Sequence, residues 1–130
     1  MPARTRHDAV ATVTRVLEAF RSLDPDLPIQ YALSFLTIAQ NEGISIGELA
    51  ERLGIAQSSA SRNVAALSRW HSFGKAGLDL VQSQEDPRER RRKIVTLTDN
   101  GRAFLESLRT IVSADTPAPA APELRRAKSA

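Results

Sequence analysis

The sequence predicts a mainly α-helical fold with one small two-stranded β ribbon near its C-terminal end. Apolar residues recur at helical spacing over much of residues 8–70, whereas two short β-type segments lie between residues 80 and 97. The 130 residues suffice for one domain with a single hydrophobic core. We therefore expect a domain over residues 1–113 and a tail over residues 114–130.

Two helices are predicted in the first third of the chain. Residues 8–23 carry an apolar stripe at helical spacing, and Asp24-Pro25-Asp26 ends that helix. Pro28 suits the first turn of a second helix, which runs to about Gln40. This second helix is apolar nearly all round, so we expect it at the centre of the fold. The stripe of the first helix consists of Val10, Val13, Val16, Leu17, Phe20 and Leu23.

A helix-turn-helix is predicted at about residues 45–70. Ser45 and Glu48 have the spacing of a capping box, in which each side chain bonds the backbone N–H of the other residue. Gly54 ends the short helix that follows and permits a tight turn. A second helix then spans about residues 57–70.

The last predicted elements are the ribbon and a final helix. Residues 80–84 and 94–97 have the composition of short strands, and the basic segment 85–92 joins them. Thr98 and Asp99 suit the N-terminus of a helix of about sixteen residues. The order helix, helix, helix-turn-helix, ribbon, helix is that of a winged helix-turn-helix.

Positive charge is concentrated between the two predicted strands. The formal net charge is only +3, but residues 88–93 hold five cations in six positions, four of which are Arg. Guanidinium groups bind phosphate oxygens bidentately. The cluster therefore favours a nucleic-acid partner, although a solvated charged loop is the other interpretation.

The helix-turn-helix and the ribbon resemble the MarR (multiple antibiotic resistance regulator) family. The first motif is Gly-Ile-Ala-Gln-Ser-Ser-Ala-Ser-Arg over residues 54–62, and the second is Glu-Asp-Pro-Arg-Glu-Arg-Arg over residues 85–91, in a wing at about residues 80–97. A Leu-Thr-x-x-Gly sequence over residues 97–101 follows. The resemblance covers about residues 28–105. It implies a cytoplasmic, homodimeric transcriptional repressor of bacterial or phage origin that binds double-stranded DNA through a palindromic site.

Two groups of residues are the candidate DNA contacts. A recognition helix presents the polar residues of its first turns to base edges in the major groove. The other interpretation is that the serines only cap the helix and that Arg62 only pairs with an acidic side chain on the surface. An arginine-tipped wing reaches the adjacent minor groove, and the resemblance implies that Asp86 orients an arginine while Arg88 or Arg90 enters that groove. The other wing cations would hold phosphates. The candidates are Gln57, Ser58, Ser59, Ser61 and Arg62 in the helix, and Asp86, Arg88, Arg90, Arg91, Arg92 and Lys93 in the wing.

The chain departs from the family pattern in the loop before the first wing strand and in the last helix. Residues 70–79 form a loop about eight residues longer than usual, in which Lys75 is a further candidate DNA contact. The aromatic residues Trp70, His71 and Phe73 are expected to pack on the sheet rather than to bind a ligand. The last helix is short, so the geometry of a dimer made by the terminal helices, and any effector site, stay open. The Ala- and Pro-rich, weakly basic tail is expected to be disordered.

Composition excludes several classes of function. The chain has no Cys, which rules out disulfides, thiol-based sensing and cysteine-ligated zinc. No apolar run approaches the roughly 20 residues of a membrane span. The two His residues lack metal-ligand spacing, and no nucleophile–base or paired-acid arrangement is visible, so we expect no enzyme, cofactor or metal. Two alternatives remain: an accessory or architectural DNA-binding protein in replication or packaging, and a winged-helix protein-interaction module.

Overall fold

The computed structural model describes residues 8–70 and 75–115 of the chain. Helices form most of this part, and its three strands make one antiparallel sheet in the order β1-β3-β2. The predicted fold class, a mainly α winged helix-turn-helix, is confirmed. The elements are α1 (Ala9–Leu23), α2 (Ile29–Gln40), β1 (Ile44–Ser45), α3 (Ile46–Leu53), α4 (Gln57–Leu67), β2 (Val81–Asp86), β3 (Glu89–Leu97) and α5 (Asp99–Asp115).

The sheet is larger than the predicted two-stranded ribbon. The extra strand β1 pairs Ile44 with Val95 and is only two residues long, too short to show an alternating pattern in the sequence. Strands β2 and β3 also extend through most of the predicted loop 85–92, up to a tight turn at Pro87 and Arg88. These extensions are polar on both faces because they project from the domain, so they lack the apolar alternation that marks a half-buried strand.

The core lies between the helices and one face of the sheet. Phe20 of α1, Phe35 of α2 and Phe104 of α5 pack edge to face, with ring centres 5.1 to 6.1 Å apart. The predicted central helix α2 supplies Phe35 and Ile38, both fully buried. Helices α1, α2 and α5 are thus held together by one aromatic cluster, and the sheet and α3–α4 pack beside it.

Half of the predicted stripe of α1 is not covered by this core. Phe20 is buried and Val16 and Leu23 are partly buried, whereas Val10 is 74% exposed. The stripe is wider than the surface that α2 and α5 can cover. We refer to the following side chains as the exposed apolar face: Val10, Val13 and Leu17 of α1, Ile29 and Leu33 of α2, and Val112 of α5.

Helix α5 begins as predicted, with Thr98 as its cap. The Thr98 hydroxyl accepts a hydrogen bond from the Gly101 N–H (2.9 Å) and donates one to the carbonyl of Asp79 (2.7 Å). Gly101 lies against Leu80, where a Cβ atom would fall 1.9 Å from the Leu80 carbonyl oxygen. This is the physical reason for glycine in the Leu-Thr-x-x-Gly sequence.

Helix α4 ends at Leu67, three residues before its predicted end at Trp70. The chain then turns back, and the segment before β2 bonds to the end of the helix, as in the 2.7 Å bond from the Leu80 N–H to the Leu67 carbonyl. Trp70 pairs with Ala76 in this returning segment and is 64% exposed, so the expectation that it packs on the sheet is wrong. His71 and Phe73 lie outside the described residues.

The predicted tail also lies almost wholly outside the described residues. Helix α5 continues to Asp115, two positions past the expected end of the domain. Among the helices of the described part, none is long and apolar enough to cross a membrane.

Candidate nucleic-acid interface

The start of the helix-turn-helix is fixed by the predicted capping box. The Ser45 hydroxyl accepts the Glu48 N–H, and the Glu48 carboxylate accepts the Ser45 N–H, both at 3.1 Å. The Ser45 N–H, and then the Ser45 hydroxyl, which also donates to the Glu48 carboxylate (3.1 Å), hold the pKa of Glu48 below its ordinary value, with a smaller contribution from Arg92 and Arg52. Gly54 ends α3 with a φ of 68°, the left-handed conformation that favours glycine. The turn therefore sets where α4 begins.

A buried polar contact fixes the orientation of α4 on the domain. Ala60 and Val64 face inward, as predicted, and Asn63 is buried beside them. The Asn63 amide donates a hydrogen bond to the hydroxyl of Ser34 (3.1 Å), which is fully buried in α2. Because an unpaired polar group in this position would be costly, the bond favours one placement of α4 over α2. This contact has no local signal in the sequence, since the two residues are 29 positions apart.

The opposite face of α4 is polar and accessible. Gln57, Ser58, Ser61 and Arg62 are exposed, and Ser59 is partly buried. The N-cap position of α4 is held by Ala56 without a side-chain bond, so the serines do not cap this helix. In the described part of the chain, Arg62 bonds to the Ser59 hydroxyl (3.3 Å) and not to an acidic side chain. All five predicted helix residues thus lie in the first two turns of α4.

Asp86 organises the tip of the wing. Its side chain is buried, and one carboxylate oxygen accepts the Arg88 N–H at 2.9 Å, which closes the turn. The other oxygen accepts the Nε–H of Arg92 at 3.1 Å. The arginine that Asp86 holds by its side chain is therefore Arg92, and the side chains of Arg88 and Arg90 are exposed at the tip.

Three consecutive arginines form a bulge in β3. Glu85 pairs with Lys93, and the next pair is Asp86 with Glu89, so Arg90, Arg91 and Arg92 have no counterpart on β2. All three arginines are exposed, as are the regularly paired residues 82–85 of β2, because both faces of the projecting strands are accessible.

A cleft of about 470 Å³ separates α4 from the wing. Gln57 and Ser61 line its helix side, and three cations and one acid line its wing side. These wing residues are Arg91, Arg92, Lys93 and Glu89. The cleft thus brings together two of the five predicted helix residues and three of the six predicted wing residues. The other candidates do not line it: Ser58, Ser59, Arg62, Asp86, Arg88 and Arg90.

The helix-turn-helix and the helix before it match a known family of proteins. Residues 26–70, from just before α2 to just beyond α4, match the sequence model described as the MarR family. The resemblance to the MarR family is confirmed. No curated protein sequence matches this chain.

Solved structures extend the likeness to the wing and to the flanking helices. A DNA complex of S. aureus MepR is 19% identical with a TM-score of 0.61, and the match covers 83% of this chain and 78% of that chain. A MarR transcriptional regulator from Methanosarcina mazei Go1 is 18% identical with a TM-score of 0.59, covering 82% and 73%. Streptococcus pneumoniae FabT in complex with DNA is 15% identical with a TM-score of 0.57, covering 68% of this chain but little over half, 57%, of that chain. At these identities the likeness establishes the fold, a MarR-type winged helix.

One ion pair of this domain was not anticipated from the sequence. Glu42, between α2 and β1, forms a bidentate pair with Arg102 of α5 (2.7 and 3.1 Å) and accepts the backbone N–H of Leu97 (3.0 Å). The Leu97 N–H holds the pKa of Glu42 below its ordinary value; burial opposes this, and the hydrogen bonds and charge of Arg102 lower the pKa further. Separations of 55 and 60 positions gave no local signal for it.

Lys75, the further candidate of the long loop, lies away from the cleft between α4 and the wing. Lys75 is exposed, at the end of β2 that is opposite to the wing tip. Six residues of strand, about 20 Å, separate that end from the tip. Lys75 therefore lies outside the surface formed by α4 and the wing. In residues 8–70 and 75–115 no group of three or more His, Asp or Glu side chains could hold a metal ion.

Proposed function

We propose that this chain is a sequence-specific, double-stranded DNA-binding transcriptional regulator that acts as a homodimeric repressor. The observation that carries the proposal is the cleft between α4 and the wing, which unites an exposed polar helix face with Arg91, Arg92 and Lys93. A family match over α2 to α4 and the fold of DNA-bound relatives support it. Because its ligand is chromosomal or phage DNA, we propose that the protein acts in the cytoplasm.

The two sides of the cleft suit the two grooves of a duplex. With α4 in the major groove, Gln57 and Arg62 have the donors and acceptors to recognise adenine and guanine edges, and the serines suit bases or phosphates. The wing then reaches the next minor groove, where Arg88 or Arg90 enters.

The DNA strand that separates these grooves would cross the cleft. Arg91 and Lys93 line it and would bind the phosphates of that strand. Arg92 would use its terminal nitrogens for the same purpose, because its bond to Asp86 uses Nε.

The exposed apolar face supports the homodimer. Six large apolar side chains are exposed on α1, α2 and α5, and exposed apolar surface of this kind on a small domain suits a protein–protein contact. A second copy of the chain would cover it, and the two recognition helices would then contact half-sites whose centres lie one helical turn, or a multiple of it, apart. Occupation of such a palindromic operator is sufficient for repression.

The test is selection of bound duplexes from a random pool at about 150 mM salt, a concentration at which non-specific binding is weak. The wild-type chain should enrich an inverted repeat. The Arg62→Ala variant should lose that enrichment or accept other bases at one position of each half-site. Arg69→Ala is the matched control, because it removes an exposed arginine just beyond α4. Binding without enrichment would favour the architectural alternative.

Salt dependence separates DNA binding from a protein-interaction role. A dimer that holds about eight phosphates should lose affinity with a log–log slope near −7. A flat response to salt would favour a protein partner and would contradict the proposal.

A further inference from the structure

The Glu42–Arg102 pair joins α5 to the segment that leads into the helix-turn-helix. Strand β1 pairs Ile44 with Val95, so Glu42 stands opposite Leu97, where β1 no longer continues. Its side chain accepts the Leu97 N–H that a longer β1 would have bonded, and the same carboxylate takes both terminal nitrogens of Arg102. One acidic group therefore connects the helix-turn-helix side, the end of β3 and the first turn of α5.

The other polar anchors of α5 go to a different part of the domain. Thr98 and Asn100 both bond to the carbonyl of Asp79, in the segment before β2, and Gly101 packs on Leu80. These contacts attach α5 to the base of the wing. Within the described residues, Arg102 and Glu42 form the ion pair that joins the side chains of α5 to the helix-turn-helix side of the domain.

The two kinds of contact constrain α5 differently. The cluster of Phe20, Phe35 and Phe104 holds the helices together, but apolar attraction depends little on direction. A bidentate guanidinium–carboxylate pair has a fixed planar geometry and opposes rotation about that cluster. The ion pair can therefore fix the angle between α5 and the helix-turn-helix.

In a homodimer this angle determines where the recognition helices lie. Val112 of the exposed apolar face lies ten positions beyond Arg102, about 15 Å along α5. A rotation of about 10° about that point displaces Arg102, about 15 Å away, by roughly 2.6 Å, which is comparable with the ~3.4 Å rise of one base pair. We propose that the Glu42–Arg102 pair is a positioning element that sets the direction of each recognition helix relative to α5, and thereby the half-site spacing that the homodimer accepts. This inference rests on the proposed function.

The experiment compares full-length variants on a set of duplexes. The set contains the inverted repeat selected by the wild type, the same repeat with its spacing changed by about one or two base pairs, and a duplex with a single half-site. The proteins are wild type, Glu42→Ala, Arg102→Ala and the control Glu106→Ala. The control also removes an acid that pairs with an arginine of α5, Arg109 at 3.6 Å, but this pair lies within the helix.

We expect Glu42→Ala and Arg102→Ala to reduce the preference for the selected spacing by at least about fivefold, and to leave half-site affinity within about twofold of wild type. Glu106→Ala should keep the wild-type preference. Glu42→Gln, which keeps an acceptor for the Leu97 N–H, and Arg102→Lys replace the alanine variants if those do not fold.

The outcomes separate this inference from the function on which it rests. If the wild type enriches no inverted repeat, the proposed function fails and the inference with it. If the repeat is enriched but the variants keep its spacing preference, the inference is wrong and the function stands. An equal loss of affinity on all duplexes would show a merely structural role and would also overturn the inference.

Discussion

Gly101 lies where α5 crosses the start of β2, and its replacement by Ala is expected to destabilise the domain. The added Cβ would lie 1.9 Å from the carbonyl oxygen and 2.9 Å from the carbonyl carbon of Leu80. Ordinary contact requires α5 to move by about 1.5 Å, because neither backbone atom can rotate away. That shift weakens the bond from the Thr98 N–H to the Leu80 carbonyl (3.0 Å) and the cap that holds the helix start.

The size of the effect follows from two opposing contributions. Overpacking against backbone costs up to about 3 kcal/mol, whereas Ala is favoured over Gly within a helix by about 1 kcal/mol. The free energy of unfolding should therefore fall by about 2 kcal/mol, which for a domain of this size lowers Tm by roughly 5–10 °C.

Gly47→Ala is the matched control for this prediction. Gly47 is also helical, in α3, but its added Cβ would meet the Gln57 side chain at 3.9 Å and the Ser45 hydroxyl at 4.0 Å, which are ordinary contacts. The control should be neutral or more stable than wild type by up to about 1 kcal/mol. Both variants are compared by thermal and urea unfolding. Equal shifts for the two, or a stable Gly101→Ala protein, would refute the close approach of α5 to Leu80.

Three further perturbations address the wing, the buried polar contact and the ion pair. Arg88→Ala with Arg90→Ala should weaken DNA binding at least about tenfold at about 100 mM salt with an unchanged Tm, and unchanged affinity in the titration would remove the wing from the interface. Asn63→Ala should lower the free energy of unfolding by about 1–3 kcal/mol in urea denaturation, because the buried Ser34 hydroxyl loses its partner, and a neutral effect would contradict that pairing. The folded state holds the pKa of Glu42 below its ordinary value of 4.5, so this residue stabilises the fold above that pH and its contribution is lost as the pH falls through the lowered value. Glu42→Gln should therefore flatten the loss of stability below about pH 4.5, and an unchanged acid unfolding profile would argue against the ion pair.

Local features of this fold could be predicted from the sequence, and contacts between distant segments could not. The Ser45–Glu48 capping box and the left-handed turn at Gly54 are confirmed because each depends on a few neighbouring residues. The lengths of β2 and β3 were underestimated because a projecting wing needs no apolar face.

The site shows the same division. The sequence predicted which residues of α4 and the wing are polar and exposed, but whether they contact DNA stays a prediction. The pairing of Asp86 with Arg92 depends on the bulge, and that of Glu42 with Arg102 on the packing of α5. Neither the position of a bulge nor the packing angle of a helix can be predicted from the residue types of a short segment.

The bulge in β3 separates changes in the wing from the register of the sheet. Val95 and Leu97 are buried, and a shift of the ladder by one position would turn both toward solvent. Arg90 and Arg91 lie on the far side of the last regular pair, Glu85 with Lys93, where β3 has residues without partners. An insertion or deletion there would alter the reach and the charge of the wing without moving the core residues. The wing can thus diverge in length and in number of arginines while the domain that carries it keeps its stability.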